Sequence, residues 1–285
     1  MAFVGMGWAG TGRAPVRMTD NTGPRPGAHP VGRAGFGLDR INLNRQKQAM
    51  SRTVILHYHL FKNAGTSLDQ ILKRNFGDRW VTREFSMKTD DNTAQVAEWI
   101  RSEPQAVAFS THTALGPIPE IEGVKVISVM LLRDPIARIR SAYRFERKQD
   151  ADTWGAELAK THDLEGYIRA RLGRPDDRQC RNFQTHRLAT LVPGDQPERQ
   201  RALEGLKRLS VVGLVDDFDA AVTRLADAIR PDFPEFTWES VRANTTTRDK
   251  QPETDQDRVV DALLVGHNRD DFDVLRTVTE MAGEG

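Results

Sequence analysis

Two short stretches of this chain combine the residue types that hold phosphate or sulfate. The first is Lys62-Asn63-Ala64-Gly65-Thr66-Ser67. Lysine supplies a point charge, Gly65 allows close backbone approach or a positive φ, and Thr66 and Ser67 add hydroxyl donors. At a helix start, the unpaired first-turn N–H groups and the helix dipole also favour an anion. The second is Arg133-Asp134-Pro135, with Ser141 eight residues after the arginine. A guanidinium fork can bond two phosphate oxygens at once, which a lysine cannot. The plainer readings are a capped turn with a surface lysine and a surface ion pair of Arg133 with Asp134 or Glu146.

A third residue, His112, has the chemistry of a general base. An unperturbed imidazole with a pKa near 6.5 accepts a proton at neutral pH. Its plainer role is to cap a helix or satisfy a loop carbonyl. Glu120 and Glu122 are the carboxylate alternatives, ranked below it because they sit in a proline-containing loop. His57 and His59 share one face of a strand by two-residue alternation, and packing or a supporting role behind the site is the expectation for them.

These residues need a scaffold that aims them at one place. Val54-Ile55-Leu56 and Leu60-Phe61 bracket an apolar run of the kind a buried parallel strand shows, and Leu68, Ile71, Leu72 and Phe76 follow at helical spacing. The lysine stretch is therefore a strand-to-helix turn. Ala106 to Ser110 reads as a second buried strand ending at His112, and Val124 to Leu132 as a third ending at Arg133, with Pro135 suited to a helix start. Ser210 to Val215 is a fourth short strand, followed by an amphipathic helix over Asp217 to Ile229. Residues 93 to 100 read as a short helix, residues 151 to 208 as helical, and Asp257 to Val278 as a terminal helical region. The alternation predicts an α/β fold with a central, mostly parallel sheet flanked by helices. In such sheets ligands gather at the carboxyl ends of the strands.

Composition narrows the function. The net charge is +1 with 28% charged residues, so a nucleic-acid or membrane partner has no general support and any basic site is local. One such surplus exists: from Arg133 to Lys148 there are six basic residues against two acidic, and these read as a basic helix surface. A single cysteine, Cys180, excludes an internal disulfide framework and a cysteine metal cluster. No apolar run approaches the roughly 20 residues of a membrane span, and the opening residues lack a signal-peptide core, so a cytoplasmic location is expected. Residues 1–50 are rich in Gly, Arg and Pro and predict a disordered tail, leaving 51–285 as one domain. The run Asp270-Asp271-Phe272-Asp273 fits no calcium-loop spacing and reads as a solvated face.

Taken together, three stretches resemble the sulfotransferases that use 3'-phosphoadenosine 5'-phosphosulfate, and among them the carbohydrate-type group. His59-Leu60-Phe61-Lys62-Asn63-Ala64-Gly65-Thr66-Ser67-Leu68 resembles that family's 5'-phosphosulfate loop, with Phe61 where a proline is usual. Leu132 to Tyr143 resembles its 3'-phosphate motif, the more specific match. Asn182-Phe183-Gln184-Thr185, followed by Val212-Gly213-Leu214, resembles a later helix and strand.

The resemblance runs from about Val54 to the end and implies a P-loop-like sulfotransferase fold. It implies that Lys62 acts on the leaving oxygens while Lys62, Asn63, Ala64, Gly65, Thr66 and Ser67 hold the 5' end of the donor. Arg133 and Ser141 would hold the 3'-phosphate, with Arg248 and Lys250 on a loop closing over the nucleotide. His112 would be the base, no metal is needed, and the acceptor is a hydroxyl, on a carbohydrate by the group resembled. Two rivals remain open. One is a phosphoryl-transferring kinase, although lysine precedes glycine here, opposite to the Gly-Lys-Ser/Thr order of nucleotide loops. The other is a non-catalytic binding protein on the same scaffold.

Overall fold

The computed structural model describes residues 52–240 and 254–283. The expected tail over residues 1–50 and the loop carrying Arg248 and Lys250 lie outside them. Five strands form one parallel sheet in the order β2-β3-β1-β4-β5: β1 (Arg52–Tyr58), β2 (Trp80–Thr82), β3 (Ala108–Thr111), β4 (Val124–Leu132) and β5 (Val211–Leu214). Four of these are the four strand-like runs of the sequence. The fifth, β2, is only three residues long and half-buried, and its pairing with β3 rather than an apolar run defines it.

The sheet is built around β1, which pairs with β3 on one side and β4 on the other. Chain order reverses across β1, so the loops leaving β1, β3 and β4 meet at one edge, the place where open α/β sheets bind ligands. Both faces are covered. Val54, Leu56 and Tyr58 of β1 point into a core shared with α2 (Thr93–Ser102), α6 (Phe183–Ala189), α7 (Glu198–Arg208) and α10 (Arg269–Gly283). Ile55 points the other way, toward Leu68, Ile71, Leu72 and Phe76 of α1 (Gly65–Phe76) and toward α8 (Phe218–Ile229). Each fully buried Leu or Ile stabilises this sandwich by about 1.5–3 kcal/mol relative to exposure. The burial explains why β1 and β4 read as continuous apolar runs.

A third cluster joins α3 (Pro135–Lys148), α4 (Trp154–Thr161), α5 (Leu164–Leu172) and α9 (Asp255–His267) around Ile139, Tyr143, Tyr167 and Leu264. The basic residues of α3 are not all at the surface as expected. Arg138 is fully buried, its guanidinium over the Phe183 ring and bonded to Gln179, and Arg140 is paired with Asp257 and Asp261 of α9. The terminal helical region is two helices, α9 and α10, meeting at the buried Asn268. The expected solvated acidic face is corrected at Asp271, which is fully buried and accepts from the backbone N–H and hydroxyl of Thr185, each at 2.7 Å.

Candidate active site

The turn after β1 takes its shape from backbone conformations that its residue types rarely adopt. Lys62 and Ala64 sit at φ 65° and 56°, in the left-handed region. For residues with a Cβ each costs on the order of 1–3 kcal/mol, and such strain gathers at functional loops. Gly65 is needed for the other reason considered above. Its φ is ordinary, but a Cβ there would overlap the His59 ring. Ala64 caps α1 without a side-chain bond, so the first-turn amides have no carboxylate or hydroxyl cap drawing on them. Thr66 is exposed and Ser67 half-buried at this helix start.

The α3 start is built differently. Asp134 caps it by accepting from the Ala137 N–H at 2.8 Å, and Pro135 occupies the first turn. Any anion near Arg133 must therefore rely on the guanidinium and on side chains such as the half-buried Ser141 rather than on helix amides. Arg133 reaches across to the first loop, where its Nη1 donates to the Lys62 carbonyl at 3.0 Å.

One buried residue ties the two loops together. The Gln184 Oε1 of α6 accepts from the Asn63 Nδ2 at 2.7 Å and the Arg133 N–H at 2.8 Å, while its Nε2 donates to the Arg133 carbonyl at 2.7 Å. Asn63 Nδ2 also donates to the Leu131 carbonyl of β4 at 2.8 Å. Asp271 of α10 in turn holds Gln184 and Thr185. The motif Asn182 to Thr185 is thus scaffold, and Asn63 serves the loop from inside rather than facing a ligand.

Positive charge gathers beside the turn after β1. Lys62 Nζ lies 4.4 Å from the Phe145 ring centroid, and Phe145 also meets Phe61 edge-on at 5.6 Å. Burial lowers the Lys62 pKa, and the charges of Arg133 and Arg144 lower it further. Arg144, exposed on α3, is a site residue that the motif reading passed over. The Arg133 pKa is also lowered, first by burial, with Asp216 as an opposing charge. Lys62, Arg133 and Arg144 repel one another, with Asp216 and Asp134 offsetting part of the charge on Arg133, and such a cluster favours an anion nearby.

His112 ends β3, as expected, and is held from two sides. Glu84 accepts from its Nδ1 at 2.6 Å and from its backbone N–H at 3.1 Å. Fully buried Arg187 of α6 donates to its carbonyl at 3.0 Å. Burial alone would raise the Glu84 pKa, but hydrogen bonds from His112 and Thr113 bring it below the usual carboxylate value. An Nδ1–H bonded to a carboxylate leaves Nε2 as the proton-accepting nitrogen. Glu122 lies at the opposite edge, two residues before β4 begins, and Glu120 borders a cleft along α2 with Asp91, Thr93 and Arg101. That placement disfavours both as bases for a reaction at the Lys62 loop.

His57 and His59 are not simple packing groups. Both Nδ1 atoms bond the carboxylate of Asp69 on α1, each at 2.8 Å. The three are metal-ligand types within 4.8 Å of one another. His57 Nε2 is buried with no partner among the described residues, whichever of the two roles its Nδ1 takes.

Residues 49–202 match the family described as Sulfotransferase family, a span containing both loops, His112 and α6. An uncharacterized protein of Archaeoglobus fulgidus is 36% identical over 252 residues, covering 83% of this chain and all of the relative. No solved structure matches the chain. With strand-end loops suited to two separate anionic groups, and with more than half of its length inside the family match, this chain belongs to the sulfotransferase family.

Proposed function

We propose that the protein moves a sulfuryl group from 3'-phosphoadenosine 5'-phosphosulfate to an acceptor hydroxyl. The observation that carries this reading is the direct link between the two loops, Arg133 Nη1 to the Lys62 carbonyl at 3.0 Å. A donor with an anion at each end needs two basic sites at a fixed separation, and this contact keys one loop to the other. The amides of Gly65 and Thr66 and the hydroxyls of Thr66 and Ser67 hold the 5'-phosphate, and Arg133 and Ser141 hold the 3'-phosphate. Arg248 and Lys250, outside the described residues, are further candidates for contacting the nucleotide in this reading.

In the transfer step the acceptor oxygen attacks sulfur in line and its proton passes to His112 Nε2. The bond from sulfur to the bridging oxygen breaks, and adenosine 3',5'-bisphosphate leaves. Lys62 stabilises the charge that grows on the departing oxygens. Glu84 keeps His112 in the tautomer that can take the proton. No metal is part of this scheme.

A carbohydrate hydroxyl is the proposed acceptor, on the resemblance of the two loops to carbohydrate-type enzymes. A cytoplasmic setting is proposed from the single cysteine, which is buried and whose thiol burial pushes up to about 12. No helix among the described residues is long and apolar enough to cross a membrane. Isothermal titration tests the donor. Adenosine 3',5'-bisphosphate should bind without magnesium, whereas magnesium-dependent ATP binding in its place would overturn the reading in favour of phosphoryl transfer.

A further inference from the structure

Asp69 and His59 form a second carboxylate–imidazole pair beside the first. Two-residue alternation along β1 puts His57 and His59 on the α1 face, and Asp69 follows the buried Leu68 on α1, within reach of both. Its Oδ1 accepts from His57 Nδ1 at 2.8 Å and from the Ser110 hydroxyl at 2.6 Å, and its Oδ2 accepts from His59 Nδ1 at 2.8 Å. Trp80 Nε1 donates to the Ser110 hydroxyl at 3.1 Å. Burial alone would raise the Asp69 pKa, but the bonds from His57 and His59 hold it far below the ordinary value, so it is a carboxylate at any working pH.

Placing two imidazoles and a carboxylate between a sheet and a helix is a costly way to fill a core. Apolar side chains of similar size would be as stable or more so. His57 Nε2 is even left buried and unpartnered among the described residues. What the arrangement achieves is a fixed plane for the His59 ring. That ring touches both halves of the proposed site. On one side it packs so closely on Gly65 of the anion loop that a Cβ there would overlap it. On the other it lies against His112, ring centroids 4.0 Å apart and planes 34° apart.

This contact adds to the Glu84 bond: the hydrogen bond fixes the Nδ1 edge of the His112 imidazole, and the His59 ring packed against it limits rotation about the Cβ–Cγ bond. We propose that His59, held by Asp69, is the spacer that sets His112 against the anion loop, making Asp69 and His59 positioning residues for the transfer step. The spacer must stay neutral to tolerate a protonated base beside it. Burial first, and then the neighbouring His57 and His112, push the His59 pKa down to about 4, against the opposing pull of Asp69.

The inference rests on His112 being the base, and its test separates the two ideas. Asp69→Asn keeps the size of the side chain but can accept from only one of the two Nδ1–H groups. We expect kcat to fall about 10- to 100-fold, the scale of a misaligned catalytic group, with adenosine 3',5'-bisphosphate affinity within about twofold of wild type. Because Asp69 acts through His112, adding Asp69→Asn to His112→Ala should cost little more than His112→Ala alone. Full kcat in Asp69→Asn, or a multiplicative loss in the double variant, overturns the positioning role while leaving the base assignment standing. If His112→Ala keeps full activity, the base assignment fails instead. A readout on the wild-type protein is independent of activity and of how the variants fold. Long-range proton–nitrogen NMR correlations at pH 7 should show His59 neutral with the proton on Nδ1; a proton on Nε2, or on both nitrogens, overturns the inference.

Discussion

Replacing Gln184 tests whether the two anion loops act as one unit. The side chain is fully buried and makes three bonds of 2.7–2.8 Å, to Asn63 Nδ2 and to both backbone groups of Arg133. In Gln184→Ala, Asn63 Nδ2 keeps the Leu131 carbonyl at 2.8 Å, but the Arg133 N–H and carbonyl both lose their partner. Arg133 is half-buried, so each lost bond costs toward the low end of about 1–3 kcal/mol, and a loss near 2 kcal/mol is expected. For a chain of this size each kcal/mol moves Tm by about 2–4 °C, which predicts a fall of roughly 6 °C. Gln184→Glu is the informative companion. It keeps both acceptor bonds, loses the donor to the Arg133 carbonyl, and sets a carboxylate where Nε2 now lies 3.4 Å from Asp271 Oδ2. That repulsion raises the pKa of the introduced carboxylate, so this variant should gain stability as pH falls and the group protonates. Thermal melts and isothermal titration with adenosine 3',5'-bisphosphate supply the readouts. Gln184→Ala should weaken binding at least about tenfold, the effect of roughly 1.4 kcal/mol. A lowered Tm with affinity unchanged within twofold would refute the idea that Gln184 couples the loops.

Three further outcomes follow from the same geometry. His112→Ala should lower kcat by about 10² to 10⁴, the usual contribution of general acid–base help, while calorimetry shows donor-product affinity retained; equal losses in both would reassign His112 to binding. Arg133→Ala should weaken adenosine 3',5'-bisphosphate by about 10- to 100-fold, the range of a lost charge-assisted bond. Adenosine 5'-phosphosulfate, which lacks the 3'-phosphate, should lose far less, and equal losses for the two ligands would contradict the 3'-phosphate assignment. The third concerns pH. His59 is held near 4 when folded against 6.5 in the free side chain. Between those values the unfolded chain binds the extra proton, so stability is full above about pH 6.5 and falls as pH drops toward 4, by about 3 kcal/mol. Urea unfolding of wild type and His59→Gln at pH 7 and pH 4.5 measures this, and an equal pH slope in both proteins would contradict it.

The sheet was legible where burial writes a continuous apolar run. Val54 to Leu56 and Ile127 to Leu132 are buried on both faces, and their strands lie close to where the sequence places them. The strand Trp80–Thr82 was not legible, because three residues carry no period and the partner Ala108 lies 28 positions away. The two anion loops could be named from residue types, but their backbone could not: Lys62 and Ala64 take left-handed conformations that a sequence reader assigns to glycine. The partners of the histidines were hidden for another reason. Glu84 and Asp69 look like ordinary polar residues of a link and a helix, and only the crossover geometry brings them to His112, His57 and His59. Asp271 shows the opposite error, since an acidic run suggests solvent while this carboxylate is the buried anchor of α6.

The central claim is transfer of a sulfuryl group from a donor bound by both loops to a hydroxyl positioned at His112. The most direct measurement is release of adenosine 3',5'-bisphosphate from sulfur-labelled 3'-phosphoadenosine 5'-phosphosulfate across a panel of carbohydrate, alcohol and phenol acceptors. The account predicts label on one acceptor class, one bisphosphate formed for each label moved, and loss of both in Lys62→Ala and His112→Ala. Tight donor binding with no bisphosphate released from any acceptor would contradict it and leave a binding protein on a sulfotransferase scaffold.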